Sequence, residues 1–245
     1  MANNYVILGA SGGIGAETCR RLRERGDNVF LGGRHEGRLQ LLADELDAPL
    51  HVLDATEIQQ VAECCEHANK TLGTLHGIVN CVGSVLLKPA HLTTAEEWQQ
   101  TIATNLTSAF ATVRAGYKVM KEQGGSIVLM STAAARTGLP NHEAICAAKA
   151  GVVGLMRSAA ASYAARGIRV NAVAPGLVKT GMTERIWGNE KSANVSLGMH
   201  ALGRLGEPGD VASLLTWLLE PANDWVTGQE FAVDGGLGSL RVASR

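Results

Sequence analysis

Short Val- and Ile-rich runs alternate along the chain with longer stretches of helical period, which predicts an α/β domain with a doubly wound, mostly parallel sheet covered by helices on both faces. Two further observations agree. A glycine-rich turn, Gly9-Ala10-Ser11-Gly12-Gly13-Ile14-Gly15, directly follows the first apolar run. No linker, internal repeat or compositional break divides the 245 residues. A chain of this length buries one continuous core, so a single domain spanning 1–245 is expected.

Strands are expected at Tyr5–Ala10, Asn28–Leu31, Leu50–Leu53, Gly77–Cys81, Gly125–Met130, Ile168–Ala174 and Glu230–Val233. These runs are apolar without alternation, as strands buried on both faces must be. Helical patterns cover Ile14–Arg25, Gly37–Leu46, Ile58–Leu72, Glu96–Glu122, His142–Arg166 and Asp210–Leu219. The one long irregular stretch runs from Pro175 to Pro208 and holds Met182, Trp187, Met199 and His200. A loop of that length is expected to act as a substrate lid, at about 176–207.

Composition narrows the function. Apolar residues make up 46% and charged residues 18%, the balance of a packed globular enzyme. A net charge of -1 gives no broad positive field for a phosphate backbone, so no nucleic acid partner is expected. The five cysteines, Cys19, Cys64, Cys65, Cys81 and Cys146, are odd in number and lie at no metal-ligand spacing; they read as idle thiols, and no metal is expected. The start of the sequence carries no basic leader, and no apolar run reaches membrane-spanning length. A cytoplasmic protein without a membrane partner is the expectation.

The glycine turn stands between a strand and a helix. Side chains there would keep the backbone away from a pyrophosphate, which rests on the helix N-terminus; the alternative is a tight turn of purely structural meaning. At the end of the second strand the chain reads Leu31-Gly32-Gly33-Arg34. A carboxylate for ribose hydroxyls is missing, and Arg34 suits the 2′-phosphate of NADP(H), since guanidinium pairs with phosphate bidentately. The competing reading is a solvated surface arginine.

Further motifs carry a resemblance. Leu53-Asp54-Ala55-Thr56, Asn80-Cys81-Val82-Gly83, the run Ile168 to Gly176 with its Asn171-Ala172-Val173-Ala174-Pro175-Gly176 ending, and Thr227-Gly228-Gln229 through Val233-Asp234-Gly235-Gly236 are similar to signatures of the short-chain dehydrogenase/reductase family, most closely its 3-oxoacyl-ACP-reductase-like members. The resemblance covers essentially the whole chain and implies a Rossmann-type sheet of seven strands. It implies cofactor contacts at Gly9, Ser11, Gly13, Ile14, Gly15, Arg34, Asp54, Ala55, Asn80, Gly83, Lys149, Pro175, Gly176, Val178 and Thr180. It also implies assembly, usually as a tetramer or dimer, through the helices at Glu96–Glu122 and His142–Arg166.

In that family a serine, a tyrosine four residues before a lysine, and an asparagine on the preceding helix carry the chemistry. Asn105 and Lys149 match. The tyrosine's position holds Ile145, and the serine's holds Thr132, with Ser131 beside it. Isoleucine has no proton to give, and losing a positioned general acid costs about 10²–10⁴ in rate. Three residues offer themselves instead. His142 lies seven residues before Lys149, two helical turns away, a spacing similar to that of divergent enoyl reductases; it is otherwise a polar residue opening a helix capped by Asn141. Cys146 neighbours the vacant position but one residue round the helix, where a packed thiol is the plainer reading. Lys149 itself is an acid if buried.

Two functions follow. The first is an NADPH-dependent reductase of a carbonyl or conjugated double bond in an apolar acyl or ring-containing small molecule, with an atypical active site. The second is a catalytically silent NADP-binding subunit or sensor that partners an active paralogue in a hetero-oligomer.

Overall fold

The computed structural model describes residues 2–241. Seven strands, β1 (Asn4–Leu8), β2 (Asn28–Gly33), β3 (Leu50–Val52), β4 (Gly77–Asn80), β5 (Gly125–Met130), β6 (Ile168–Pro175) and β7 (Glu230–Val233), form one sheet. Their order is β3-β2-β1-β4-β5-β6-β7, with every pairing parallel. Successive strand residues point to opposite faces, and both faces are covered. Val6 and Leu8 of β1 enter one core with Phe30, Ile78 and Ile127, whereas Tyr5 and Ile7 enter the other with Val29, Leu31, Val79 and Val128. This double burial is why the strands read as unbroken apolar runs.

Helices α1 (Gly13–Glu24) and α2 (Glu36–Leu46) pack on the second face through Cys19, Leu22, Leu39 and Leu42. Helix α3 (Ile58–Leu72) lies on the first, through Val61 and Ala68. The helix expected over Glu96–Glu122 is interrupted: α4 (Ala95–Ile102) passes through a π turn at Ala103–Thr107 before α5 (Ser108–Met120). A short α6 (Ala133–Thr137) precedes α7 (Glu143–Tyr163), and Asp210–Leu219 is the body of a final helix that begins two residues earlier.

The stretch from Pro175 to Pro208 is not irregular throughout. It contains α8 (Glu184–Trp187) and α9 (Glu190–Met199), followed by α10 (Pro208–Leu219). A parallel bridge between Val178 and Gly206 closes the base of this segment, and the Trp187 indole N–H donates to the Thr180 carbonyl at 2.9 Å. Helix α9 buries no residue, so it gives no periodic apolar signal. One helix, Glu143–Arg166, has the length and composition of a membrane span, against the sequence expectation; half of its most apolar window is buried inside the fold, where Val152, Met156 and Ala160 join the first core.

Strand order reverses beside β1, whose neighbours are β2 and β4. In open parallel sheets, ligands bind at the carboxyl ends of the strands at such a switch point. The Gly9 N–H donates to the Gly32 carbonyl at 2.8 Å and the Cys81 N–H to the Leu8 carbonyl at 2.8 Å. The loops leaving β1, β2 and β4 are thereby fixed around one cleft.

Candidate active site

The nucleotide end of the cleft is built from backbone. Gly9 has φ +74°, and a Cβ there would lie 2.9 Å from the Cys81 carbonyl carbon; a Cβ at Gly15 would lie 2.3 Å from the Gly9 oxygen. Those two glycines allow the turn to close. Gly12 and Gly13 stay exposed, and Gly12, the N-cap of α1, offers no side-chain cap, with no acidic residue in the first helical turn. Free N–H groups at the positive end of a twelve-residue helix suit a pyrophosphate. Thr180 flanks the same turn, 2.9 Å from a Cβ built on Gly13. A dinucleotide therefore fits the residues present.

Arg34 follows β2 and is exposed; its Nε approaches the His35 ring at 3.3 Å. The Ser11 hydroxyl lies 3.7 Å from a Cβ built on Gly33, so Ser11 and Arg34 border one corner. Asp54 stands across from it. Hydrogen bonds from the Thr56 N–H and hydroxyl hold its carboxyl below the usual range, and the Arg34 cation adds to the effect. Asn80 is spent inside the protein. Its Oδ1 accepts from the Val82 N–H at 2.9 Å and its Nδ2 donates to Thr112 Oγ1 at 3.0 Å. It shapes the loop toward Gly83.

The reacting end gathers Gly83, Asn105 and Lys149. A Cβ built on Gly83 would lie 3.2 Å from Asn105 Oδ1, 3.6 Å from Lys149 Nζ and 3.9 Å from Met182 Cε. Met182, in the segment that follows β6, thus reaches the same point as the two polar side chains. Asn105 is buried in the π turn; its Oδ1 accepts from the Ser84 N–H at 3.1 Å and its Nδ2 donates to Ser84 Oγ at 2.9 Å and to the Thr101 carbonyl at 3.0 Å. Lys149 donates from Nζ to the Met130 carbonyl at 2.9 Å. Burial pushes its ammonium down to about 8, with Cys81 acting in the opposite sense. Burial likewise pushes the Cys81 thiol up to about 12, and the Lys149 cation opposes that rise.

Ile145 is buried one turn before Lys149. Thr132 caps α6, its hydroxyl accepting from the Ala134 N–H at 3.3 Å. Ser131 is held from behind, donating to Glu230 Oε1 at 2.9 Å. His142, not Asn141, is the N-cap residue of α7, and it makes no side-chain cap bond. Its ring bonds the Pro140 carbonyl at 2.8 Å, a contact outside the Gly83, Asn105 and Lys149 group. Cys146 is part-buried, and burial raises its thiol. Pro175 ends β6 and Val178, just after it, is buried. Gly176 approaches His200, whose Nε2 would lie 2.6 Å from a Cβ there.

Sequence reasoning missed Ser84, the Met130 carbonyl and Glu230. Ser84 carried a signal, a hydroxyl directly after the Gly83 motif. The other two become partners only through the sheet. Among the described residues, no group of three or more His, Cys, Asp or Glu is arranged to hold a metal ion.

Comparison with known proteins agrees with this geometry. The family described as Enoyl-(Acyl carrier protein) reductase matches residues 9–238. The chain is 34% identical over 240 residues to the 3-oxoacyl-[acyl-carrier-protein] reductase FabG of Thermotoga maritima, covering 95% of this chain and 96% of that protein. It is 36% identical over 192 residues to the inactive 2-(S)-hydroxypropyl-CoM dehydrogenase 2 of Xanthobacter autotrophicus, covering 76% of this chain and 84% of that one. Among solved structures it superimposes on ElxO with NADP bound with a TM-score of 0.91 and 28% identity, covering 98% of this chain and 100% of that one. The switch-point cleft, the glycine turn and the matched span together make this chain a member of the short-chain dehydrogenase/reductase family of oxidoreductases.

Proposed function

We propose that the chain is a cytoplasmic NADPH-dependent reductase with an atypical active site, acting on a conjugated double bond or carbonyl of an apolar acyl or ring-containing small molecule. The observation that carries this reading is the convergence of Asn105 and Lys149 at Gly83 beside a nucleotide cleft whose second strand ends in Gly33 and Arg34 without a carboxylate. NADPH, when bound, supplies hydride. Gly12, Gly13 and the first turn of α1 would hold its pyrophosphate, and Arg34 with Ser11 its 2′-phosphate. Met182, whose Cε lies 3.9 Å from a Cβ built on Gly83, would offer an apolar contact to substrate.

A ketone's oxygen becomes an alkoxide as hydride adds and demands a proton or strong hydrogen bonding there. A conjugated enoyl substrate spreads the charge into an enolate. Thr132 and Lys149 can stabilise that enolate, and a later carbon-bound proton can come from water, so the phenol missing at Ile145 is tolerable. Enoyl or dienoyl thioesters are therefore favoured over 3-oxoacyl thioesters. The test is NADPH oxidation with both substrates, repeated for His142→Ala and Lys149→Ala. Lys149→Ala is expected to lose activity and His142→Ala to keep it, because the His142 ring is engaged with Pro140. Faster turnover of the oxoacyl substrate overturns the preference.

The second reading is a silent NADP-binding subunit or sensor. Ile145 supports it, since a buried isoleucine supplies no proton, and one relative, 36% identical over 192 residues, is itself named as inactive. In that case α4, α5 and α7 would pair with an active paralogue; in the first case they would join copies of this chain in a dimer or tetramer. NADPH binding without turnover of either thioester selects the silent reading.

A further inference from the structure

Glu230 opens β7, at one edge of the sheet. It lies level with Ala172 of β6, which is in turn level with Leu129 of β5. Level residues of parallel strands share a face, so Glu230 points to the side where Leu129 and Ala172 join the first core with Val152 and Met156 of α7. Its neighbours on that face are apolar. The Glu230 side chain is nonetheless a carboxylate with 12% of its surface exposed, and such a group is costly to shield without partners. Ala172 contributes a bare methyl, and past it the carboxylate reaches the end of β5, two strand spacings or about 10 Å away. Oε1 accepts from the Ser131 hydroxyl at 2.9 Å, and Oε2 lies 3.9 Å from Nε of Arg136 on α6. Thr132 is thus held on both sides, through Ser131 before it and through α6, which it caps, after it.

We propose that Glu230 is a positioning residue of the active site, which commits the Ser131 hydroxyl and leaves that of Thr132 as the one offered to substrate; this deepens the reductase reading above and rests on it. A carboxylate only accepts, and a serine hydroxyl has a single proton to give. The Ser131 proton therefore goes to Glu230, since the Lys149 carbonyl is farther off at 3.4 Å. Thr132 is in the opposite state. Its oxygen accepts from the Ala134 N–H, and its proton has no acceptor among the described residues. It is half-buried at the carboxyl end of β5, the end of a parallel sheet at which ligands bind. Without Glu230 the Ser131 proton is free to turn to the Lys149 carbonyl or to a ligand, Arg136 loses its carboxylate, and the corner that carries Thr132 loosens.

The experiment compares Glu230→Leu, Glu230→Gln, Ser131→Ala and the double variant of Ser131→Ala with Glu230→Leu. Each is measured for turnover of the 2-enoyl thioester, NADPH affinity by fluorescence, urea unfolding and amide hydrogen exchange. Glu230→Leu should lower kcat about ten- to hundredfold, the cost of a small displacement at a reacting site. NADPH affinity and the unfolding midpoint should stay near wild type, because an apolar side chain in place of a shielded charge is often neutral for stability. Glu230→Gln still accepts from Ser131 and should recover most of kcat. Ser131→Ala should lose about as much as Glu230→Leu, and the double variant no more than either, since all three break one hydrogen bond. Exchange at Ser131 and Ala134, whose N–H groups bond the Val173 carbonyl and Thr132 Oγ1, should rise about tenfold or more in Glu230→Leu, as loss of a charge-assisted hydrogen bond requires.

An undiminished kcat in Glu230→Leu, a loss that follows the unfolding midpoint, or additive losses in the double variant overturns the proposal. Ser131→Ala breaks the same bond without touching the carboxylate, so the test stands even if Glu230→Leu does not fold. Wild type that turns over neither thioester overturns the reductase reading instead. Unchanged exchange at Ser131 and Ala134 overturns the assignment of Glu230 whether or not turnover is seen.

Discussion

In the proposed reading Arg34 selects the cofactor and Ile145 leaves the site without a phenol. The Arg34 guanidinium is exposed beside Ser11 and has no carboxylate within ion-pair distance among the described residues, so a 2′-phosphate is its natural partner. A charge-assisted hydrogen-bonded pair is worth about 1.5–3 kcal/mol. Arg34→Ala should therefore weaken NADPH about ten- to hundredfold and leave NADH unchanged, as fluorescence titration of both would show; equal effects on the two would remove Arg34 from the phosphate site. Ile145→Tyr places a phenol one turn before Lys149. Ketone reduction should appear or rise, and a variant that folds, binds NADPH and reduces no ketone in a broad panel would mean the pocket has changed beyond this one residue. The meeting of Asn105 and Lys149 at Gly83 was foreshadowed in the sequence, because each sits at a fixed offset from a motif. Their partners were not: the Met130 carbonyl meets Lys149 only because β5 and α7 pack together, and nothing local in the chain records that.

At the scale of the element, the π turn between α4 and α5 positions Asn105. The Ser108 N–H bonds the Ala103 carbonyl, five residues back, which takes away the α-helical partner of the Thr104 carbonyl. The Ser108 hydroxyl compensates, donating to that carbonyl at 2.7 Å, in a position with no solvent exposure. An unsatisfied buried carbonyl costs about 1–3 kcal/mol. Ser108→Ala should lower stability by about that amount in urea unfolding and raise hydrogen exchange at Asn105 and its neighbours. An unchanged midpoint would show that the turn holds without the hydroxyl. One inserted residue shifts the apolar period too little to read, so the sequence gives a continuous helix over Glu96–Glu122. A signal was nonetheless present: Thr101, Thr104, Asn105, Ser108 and Thr112 place polar groups along the buried face, where a plain core helix would carry apolar ones. Helix α9 left no such trace, because all its residues meet solvent at least in part.

For the whole molecule, the buried ionisable groups set how stability responds to alkali. Lys149 is held down to about 8 by burial, against about 10.5 when unfolded. Between those values the unfolded chain binds more protons, so this one group makes stability rise with pH by about 1.4 kcal/mol per unit. Five thiols act the other way, Cys146 least and the other four strongly. Burial pushes Cys64 and Cys81 up to about 12 and Cys19 and Cys65 well above the ordinary thiol range. Above about pH 9 the unfolded chain releases those protons while the folded chain keeps them, so each thiol removes about the same amount per unit that Lys149 adds. Four outweigh one, and native domains hold only about 5–15 kcal/mol in reserve. Stability under reducing conditions should therefore rise slightly between pH 8 and 9 and fall steeply beyond. Urea unfolding at pH 7.5, 9 and 10.5 checks this, with Lys149→Met expected to abolish the rise and Cys64→Ala with Cys65→Ala to flatten the fall. A protein as stable at pH 10.5 as at 9 would show that the thiols are not shielded by the two cores that otherwise hold the sheet together.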